Sequence, residues 1–208
     1  MLYRSVRATP VEQRRRLAGD GLIQDPIASI THAITIRRPP HDVWPWIAQM
    51  GAGSRAGWYS YDFLDNGRRR SADRILLELQ RISIGTLFPA LPGETQGFHV
   101  LQVEPGISLV IGWTPKPNAA PMTTWAFVLE EAGEGCTRLV TRVRGSREYP
   151  FFGLPRAIGD PVIRSVHFIM ERKQLLGIAS RAESHRPDAA APRSLRSSQT
   201  GHAPQETS

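Results

Sequence analysis

The side chains able to do chemistry in this chain are few and scattered. His99 falls in a predicted strand and His167 in the predicted last helix. Either could act as a general acid or base if it faced an enclosed space. His167 is the stronger candidate, because Met170 follows one turn later and both would face the same neighbour. No Asp or Glu is read at a spacing that would orient it. Trp58, Tyr59 and Tyr61 bring one indole N–H and two hydroxyls into a short segment. These either orient a guest's carbonyl or hydroxyl in an apolar cavity or anchor their own loop, and spacing alone does not choose between the two. The remaining His, Cys and carboxylate positions stand singly, which points to neither a metal centre nor a cofactor.

One glycine-rich stretch, Gly51-Ala52-Gly53-Ser54-Arg55-Ala56-Gly57, invites a phosphate-binding reading. Its spacing is G-x-G-x-x-x-G and it follows a predicted helix rather than a strand, so the dinucleotide pattern fails. A helix stop and a flexible loop at a cavity mouth is the better account.

These groups are embedded in an unusual density of aromatics. Three of the five tryptophans and two of the four tyrosines lie within residues 43–62. Further along come Phe88, Phe98, Trp113, Trp125 and Phe127, which with Met50 and Met170 are the candidate cavity wall. Core packing is the competing role for each of them, and a cavity that stays empty forfeits dispersion contacts.

The bulk numbers bound the class. A chain of 208 residues with 40% hydrophobic content suits one domain with ragged ends. A single cysteine, Cys136, makes no internal disulfide and favours a reducing compartment. The N-terminal residues carry charge without an apolar stretch, and no run of about 18 apolar residues exists. A cytoplasmic protein without a membrane span is expected. The net charge of +7 is carried by 26 Lys and Arg, of which only Lys116 and Lys173 are lysine. Without a nucleic-acid-binding signature, the short clusters Arg14-Arg15-Arg16 and Arg68-Arg69-Arg70 read as solvated surface charge, and no specific nucleic-acid partner is expected.

The elements that must position the candidates follow from periodicity. Residues 1–28 are a polar lead-in lying on the domain, with a short helix near Arg14–Leu17. Ile30, His32, Ile34 and Ile36 alternate with Thr31, Ala33 and Thr35 in a first strand. Val43, Trp46, Ile47 and Met50 recur at helical spacing, with Pro45 tolerated in the first turn. Ala72–Gln80 reads as a second short helix. A weak strand over 83–89 precedes strands over 98–104, 107–114, 123–130 and 136–144, an antiparallel meander with arginines 138, 142 and 144 on its polar face. The last helix is predicted from an Asp160 cap and Pro161 to about Glu183, with Val162, Val166, Ile169, Met170 and Leu176 as one stripe and Phe168, Leu175 and Ala179 as another. Residues 184–208 read as a disordered tail. The domain is thus expected over 29–183, as an antiparallel sheet around a C-terminal helix with space for an apolar guest between them.

Ala33-Ile34-Thr35-Ile36 and Val43-Trp44-Pro45-Trp46-Ile47, in this element order, resemble the helix-grip fold of the SRPBCC superfamily. That group includes START-type lipid-binding and polyketide cyclase/dehydrase-like proteins. Gln49-Met50-Gly51, the run from Arg55 to Asp62, Met170-Glu171-Arg172-Lys173 and Leu175-Leu176-Gly177-Ile178 are similar to an uncharacterised bacterial branch of it. That branch commonly carries Gly-Asp where this chain has Gly85-Thr86. The resemblance spans roughly residues 17–183, and it implies an α+β helix-grip fold with two short helices after strand one. It implies a hydrophobic cavity but no single reaction, since members transport, sense, cyclise or bind.

The expected function is binding of a hydrophobic or amphipathic small molecule, lipid- or polyketide-like, in that cavity. Ligand contacts are expected from Met50, Trp58, Tyr59, Tyr61, Phe88, Phe98, Trp113, Trp125, Phe127, His167 and Met170. The alternatives are a cyclase/dehydrase-type enzyme using His167 or His99, and an interaction module using the basic surface.

Overall fold

The computed structural model describes residues 4–93, 95–114, 119–147 and 156–185, with only the helical backbone given at 156–164 and 166. Six strands, β1 (Ala28–Ile36), β2 (Leu87–Pro89), β3 (Gly97–Glu104), β4 (Ser108–Trp113), β5 (Thr123–Glu131) and β6 (Thr137–Gly145), form one sheet. Its order is β1-β6-β5-β4-β3-β2, and every neighbouring pair is antiparallel. Among the described residues four α-helices accompany it, α1 (Pro10–Arg14), α2 (Pro40–Ala48), α3 (Asp62–Asp65) and α4 (Arg156–Ser184). A bulge between Val100 and Gln102 shifts the β3–β4 register, a device that bends a strand. Helix α4 packs against β1 and α2. This is the α+β helix-grip architecture.

The strand alternation expected from sequence holds on the inner face. Ile34, Ile36, Leu109, Ile111, Phe127 and Leu139 are fully or almost fully buried, and α2 adds Val43, Trp46 and Ile47 from one side of its helix. Pro45 sits inside α2, in its second turn rather than its first, because the helix already begins at Pro40.

Three expectations need correction. Ala72–Gln80 is not a helix: only Leu77–Leu79 form a 3-10 turn, and the second short helix is instead the four residues of α3. The side chain of Gln49 explains this, since its Oε1 accepts from the Leu76 amide and its Nε2 donates to the Arg74 carbonyl. These bonds hold the chain extended where propensity alone favoured helix. Helix α4 begins at Arg156, so Asp160 lies within it and does not cap it. Its predicted stripes are also displaced: Phe168 and Ile169 are exposed, while the inward side carries Glu171, Gln174, Leu175, Ile178, Ala179 and Ala182. Val162 and Val166, expected in the first stripe, lie outside the described side chains, as does the predicted tail beyond residue 185.

The outer face of the sheet is partly covered. Val6 accepts from the Ala33 amide and Arg7 bridges His32, so the N-terminal segment runs along the free edge of β1, where an unpaired strand is a liability. Beyond it, α1 lies at Pro10–Arg14, earlier than expected. Thr9 and Glu12 form its capping box, each side chain accepting from the other's amide. Ala8 and Leu17 then pack on Ala33, Val128 and Val140. The arginines of β6 are therefore paired with this segment, Arg142 buried and Arg138 and Arg144 half-buried. Arg138 makes a two-pronged ion pair with Glu12 at 2.7 and 3.0 Å, which with Thr9 outweighs burial and draws the Glu12 carboxyl down to about 2. Arg142, only 4% exposed, donates to Thr31, Asp20 and the carbonyls of Glu12, Gln13 and Arg15.

Candidate functional site: a cavity between sheet and C-terminal helix

The loop after α2 is where the site begins. Gly51 and Gly57 bridge each other across the glycine-rich stretch. Arg55 folds back beneath it, donating to the carbonyls of Met50 and Ala48, with its guanidinium 4.2 Å from the centre of the Phe88 ring. Burial lowers the Arg55 pKa to about 10, and the side chain is committed to capping the helix. The stretch is a pinned helix stop rather than a flexible loop.

Tyr59 is the pivot. Its φ is +60°, an uncommon conformation for a bulky side chain. The surroundings hold it there. Its amide donates to the Ser71 hydroxyl, its own hydroxyl accepts from Gln49 Nε2 at 2.8 Å, and the Arg181 guanidinium lies 4.6 Å from the ring centre. Gly177 of α4 meets it backbone to backbone: a Cβ there would come within 2.4 Å of the Tyr59 carbonyl oxygen. Burial raises the Tyr59 hydroxyl pKa well above its ordinary value. This turn sends Trp58 one way, towards the sheet, and Ser60 the other, where its hydroxyl donates to the Met170 carbonyl.

Trp58 and Trp125 of β5 stack with ring centres 5.9 Å apart and planes 11° apart, and Phe98 of β3 meets both edge-on. With Val143, Met170, His167, Glu171, Gln174, Ser60, Asp65, Thr123 and Ala90 these rings line a partly open cavity of about 230 Å³. It lies between the sheet, α4 and the Trp58–Asp65 segment.

Its polar wall is built by register. His32 and Thr141 face each other across β1 and β6, and α4 lays Glu171 over both. His32 Nδ1 is 2.6 Å from Glu171 Oε2, and the Thr141 hydroxyl donates to Oε1. His167, one helical turn earlier, places Nδ1 3.2 Å from Oε2 but without hydrogen-bond alignment. Glu171 is 1% exposed. Burial alone would raise its pKa, but His167 and His32 outweigh burial and hold the carboxyl well below the usual range. A buried anion flanked by two imidazoles results, with His167 forming part of the cavity wall.

Other wall groups are left without partners. Both carboxyl oxygens of Asp65, Gln174 Oε1 and Trp125 Nε1 are buried and make no well-aligned hydrogen bond, although the Ser60 hydroxyl and the Tyr61 and Asp65 amides approach the Asp65 carboxyl. Burial, then the neighbouring Asp62 carboxylate, push Asp65 up to about 6. The sign of the linkage is set by that direction. Below the ordinary carboxylate pKa both folded and unfolded chains are protonated and no penalty exists. As pH rises from about 4 to about 6 the unfolded chain ionises first, so stability falls. Asp65→Asn is therefore expected to stabilise the protein by about 1–2 kcal/mol at pH 7.5, after allowance for solvent screening, and by nothing at pH 3.5. Urea melts at the two pH values check this.

The predicted site residues divide as follows. Trp58, Phe98, Trp125, His167 and Met170 are brought together on the wall. Phe127 lies fully buried against Trp125, and Trp113 meets Phe98 edge-on. Met50, Phe88 and Tyr59 are packed core residues. Tyr61 lines a separate polar groove of about 950 Å³ with Arg172, Lys173 and Arg181. His99 pairs with Gly112 and Leu87, on the strand face opposite Phe98. The statement that no carboxylate could orient His167 is overturned by Glu171, four residues on. That i, i+4 spacing was available as a signal, as was the i, i+4 pair Met170 and Gln174. Among the described residues no three His, Cys, Asp or Glu side chains are grouped to hold a metal ion, and no helix is long and apolar enough to cross a membrane.

No family model and no curated protein matches the chain. Solved structures do. A polyketide-cyclase-like protein from Corynebacterium glutamicum is 17% identical over 73% of this chain and 88% of its own, with a TM-score of 0.41. The ZhuI aromatase/cyclase from a Streptomyces species is 14% identical over 75% and 93%, with a TM-score of 0.42. CalC, a self-sacrificing resistance protein from Micromonospora echinospora, is 14% identical over 74% and 94%, also at 0.42. Identities this low transfer no residue role.

Proposed function

We propose that the protein binds a small hydrophobic or amphipathic molecule between the sheet and α4. The observation that carries this reading is the cavity of about 230 Å³ faced by Trp58, Phe98, Trp125, Val143 and Met170. An apolar cavity of roughly 150 Å³ encloses benzene, so this one suits a guest of one or two rings and is small for a long lipid chain. Affinity would come from burying apolar surface against the rings, at about 25 cal/mol per Å² before ordering costs.

Trp58 and Trp125 make the test direct, because a guest must touch one or both. Titrating the purified protein with one- and two-ring compounds should change tryptophan emission saturably and give a one-to-one adduct in native mass spectrometry. Val143→Phe, which fills the space, should abolish both signals. Unchanged emission and no adduct across the series would overturn the reading.

One observation favours a second reading, an enzyme of the cyclase/dehydrase kind. His167 stands in the cavity wall with Glu171 3.2 Å from its Nδ1, so an imidazole that can exchange a proton with a guest has a carboxylate beside it to stabilise its charged form. His167→Gln would then lose turnover while retaining guest affinity, whereas equal loss of both would leave only the binding role.

A further inference from the structure

The wall of this cavity has a chemical bias. The chain carries 26 Lys and Arg against 19 Asp and Glu, yet no Lys or Arg occurs among the described lining residues, which include Asp65 and Glu171. The two carboxylates are not equivalent. Glu171 is bonded to His32 and Thr141 and has His167 at ion-pair distance. Asp65, 7% exposed, has no cationic partner among the described residues and no well-aligned hydrogen bond to either oxygen, with only the Ser60 hydroxyl and the Tyr61 and Asp65 amides nearby to ease its charge. Gln174, 1% exposed, spends its amide nitrogen on the Met50 sulfur at 3.7 Å and leaves Oε1 unbonded. Buried acceptors without donors cost stability unless something supplies the donor, and native proteins keep few of them.

From these acceptors, and from the stacked rings of Trp58 and Trp125, we propose that the cavity selects a compact amine, taken as its ammonium ion and seated against Asp65 and Gln174. The inference rests on the binding role proposed above and adds the charge of the guest. An ammonium group provides up to three donors for the three free oxygens. Aromatic faces attract a cation through their quadrupoles, most strongly tryptophan and most usefully where water is excluded. A carboxylate guest has the opposite fit: it would enter a wall whose described residues include two acidic side chains and no Lys or Arg, its one imidazole, His167, already lying at ion-pair distance from Glu171. The unbonded Trp125 N–H is a single donor and does not reverse that balance.

A matched series of one-ring guests tests the charge separately from the cavity. Benzylamine, benzyl alcohol, toluene and benzoate are titrated at pH 7.5, with tryptophan emission and calorimetry as readouts. The amine should bind at least ten-fold more tightly than the alcohol or toluene, and benzoate should bind least. Asp65→Asn should remove most of the amine's advantage, read as the ratio of amine to toluene affinity in the variant against the same ratio in the wild-type protein. Toluene or benzoate binding as well as the amine to the wild-type protein would overturn this inference and leave the cavity reading standing. An amine preference that survives Asp65→Asn would overturn the seat at Asp65. Failure of all four guests to bind would overturn the cavity reading itself, and this inference with it.

Discussion

Replacing Glu171 by Ala should cost roughly 3–5 kcal/mol of folding stability, the cost expected for breaking a buried charged pair by removing one partner. The carboxylate accepts from Thr141, contacts His32 at 2.6 Å and lies 3.2 Å from His167. Its removal leaves a buried hydroxyl and a buried imidazole without their acceptor. Glu171→Gln keeps the shape and one acceptor oxygen, so its cost should be smaller, about 1–2 kcal/mol. The pH dependence separates charge from shape. Glu171 has a folded pKa below its ordinary value of 4.5, so its contribution is complete above that ordinary value and is lost as pH falls towards the folded one. Denaturant melts between pH 5 and pH 3 should show a steep loss of stability in the wild-type protein and a flatter one in Glu171→Gln. Parallel curves would show that the carboxylate is not held ionised by its neighbours.

The second large effect is expected at Arg142. A guanidinium has five N–H donors, and Arg142 places all of them: on Thr31, on Asp20, and on the carbonyls of residues 12, 13 and 15. Arg142→Ala leaves Asp20 its other partners, Arg144 at 3.0 Å and the Leu17 amide at 2.9 Å, but strips three carbonyls at a buried position. A loss of about 3 kcal/mol is expected. The expected structural consequence is release of the N-terminal segment from the sheet, read as faster hydrogen exchange at Ala8, Leu17 and the Ala33 amide. Arg142→Lys should recover little, because three donors on a flexible stem cannot replace a planar fork. Unchanged exchange over residues 6–17 in Arg142→Ala would show that the segment is held by its apolar contacts instead.

These two residues mark where reading along the chain ran short. Arg142 alternates with Leu139, Thr141 and Val143 in the way that marks an outward position, and outward was right. Periodicity does not say whether another part of the same chain lies on that face, and here residues 4–22 do. Glu171 has no role in the sequence reading beyond its place in the Met170-Glu171-Arg172-Lys173 stretch. Its burial depends on His32 and Thr141, which are 139 and 30 residues away and meet it only once β1 and β6 pair. Gln49 shows the same limit on a shorter scale. Its side chain bonds the backbone at Arg74 and Leu76, overriding the helical pattern of Ile75, Leu76 and Leu79.

By itself the sequence determined the α+β class, the order of the strands and the last helix, and the inward faces of β1, β4, β5 and β6. Those properties depend on alternation and turn residues within about ten positions of one another. It also singled out Trp58, Phe98, Trp125, His167 and Met170. Only the tertiary structure decided which aromatics wall the cavity and which, like Phe88 and Tyr59, fill the core, because both roles call for the same apolar residue types. It alone decided that Asp65 and Gln174 keep free acceptors on that wall. Whether a polar group has found its partner is settled by distances across the fold, and no local pattern encodes them.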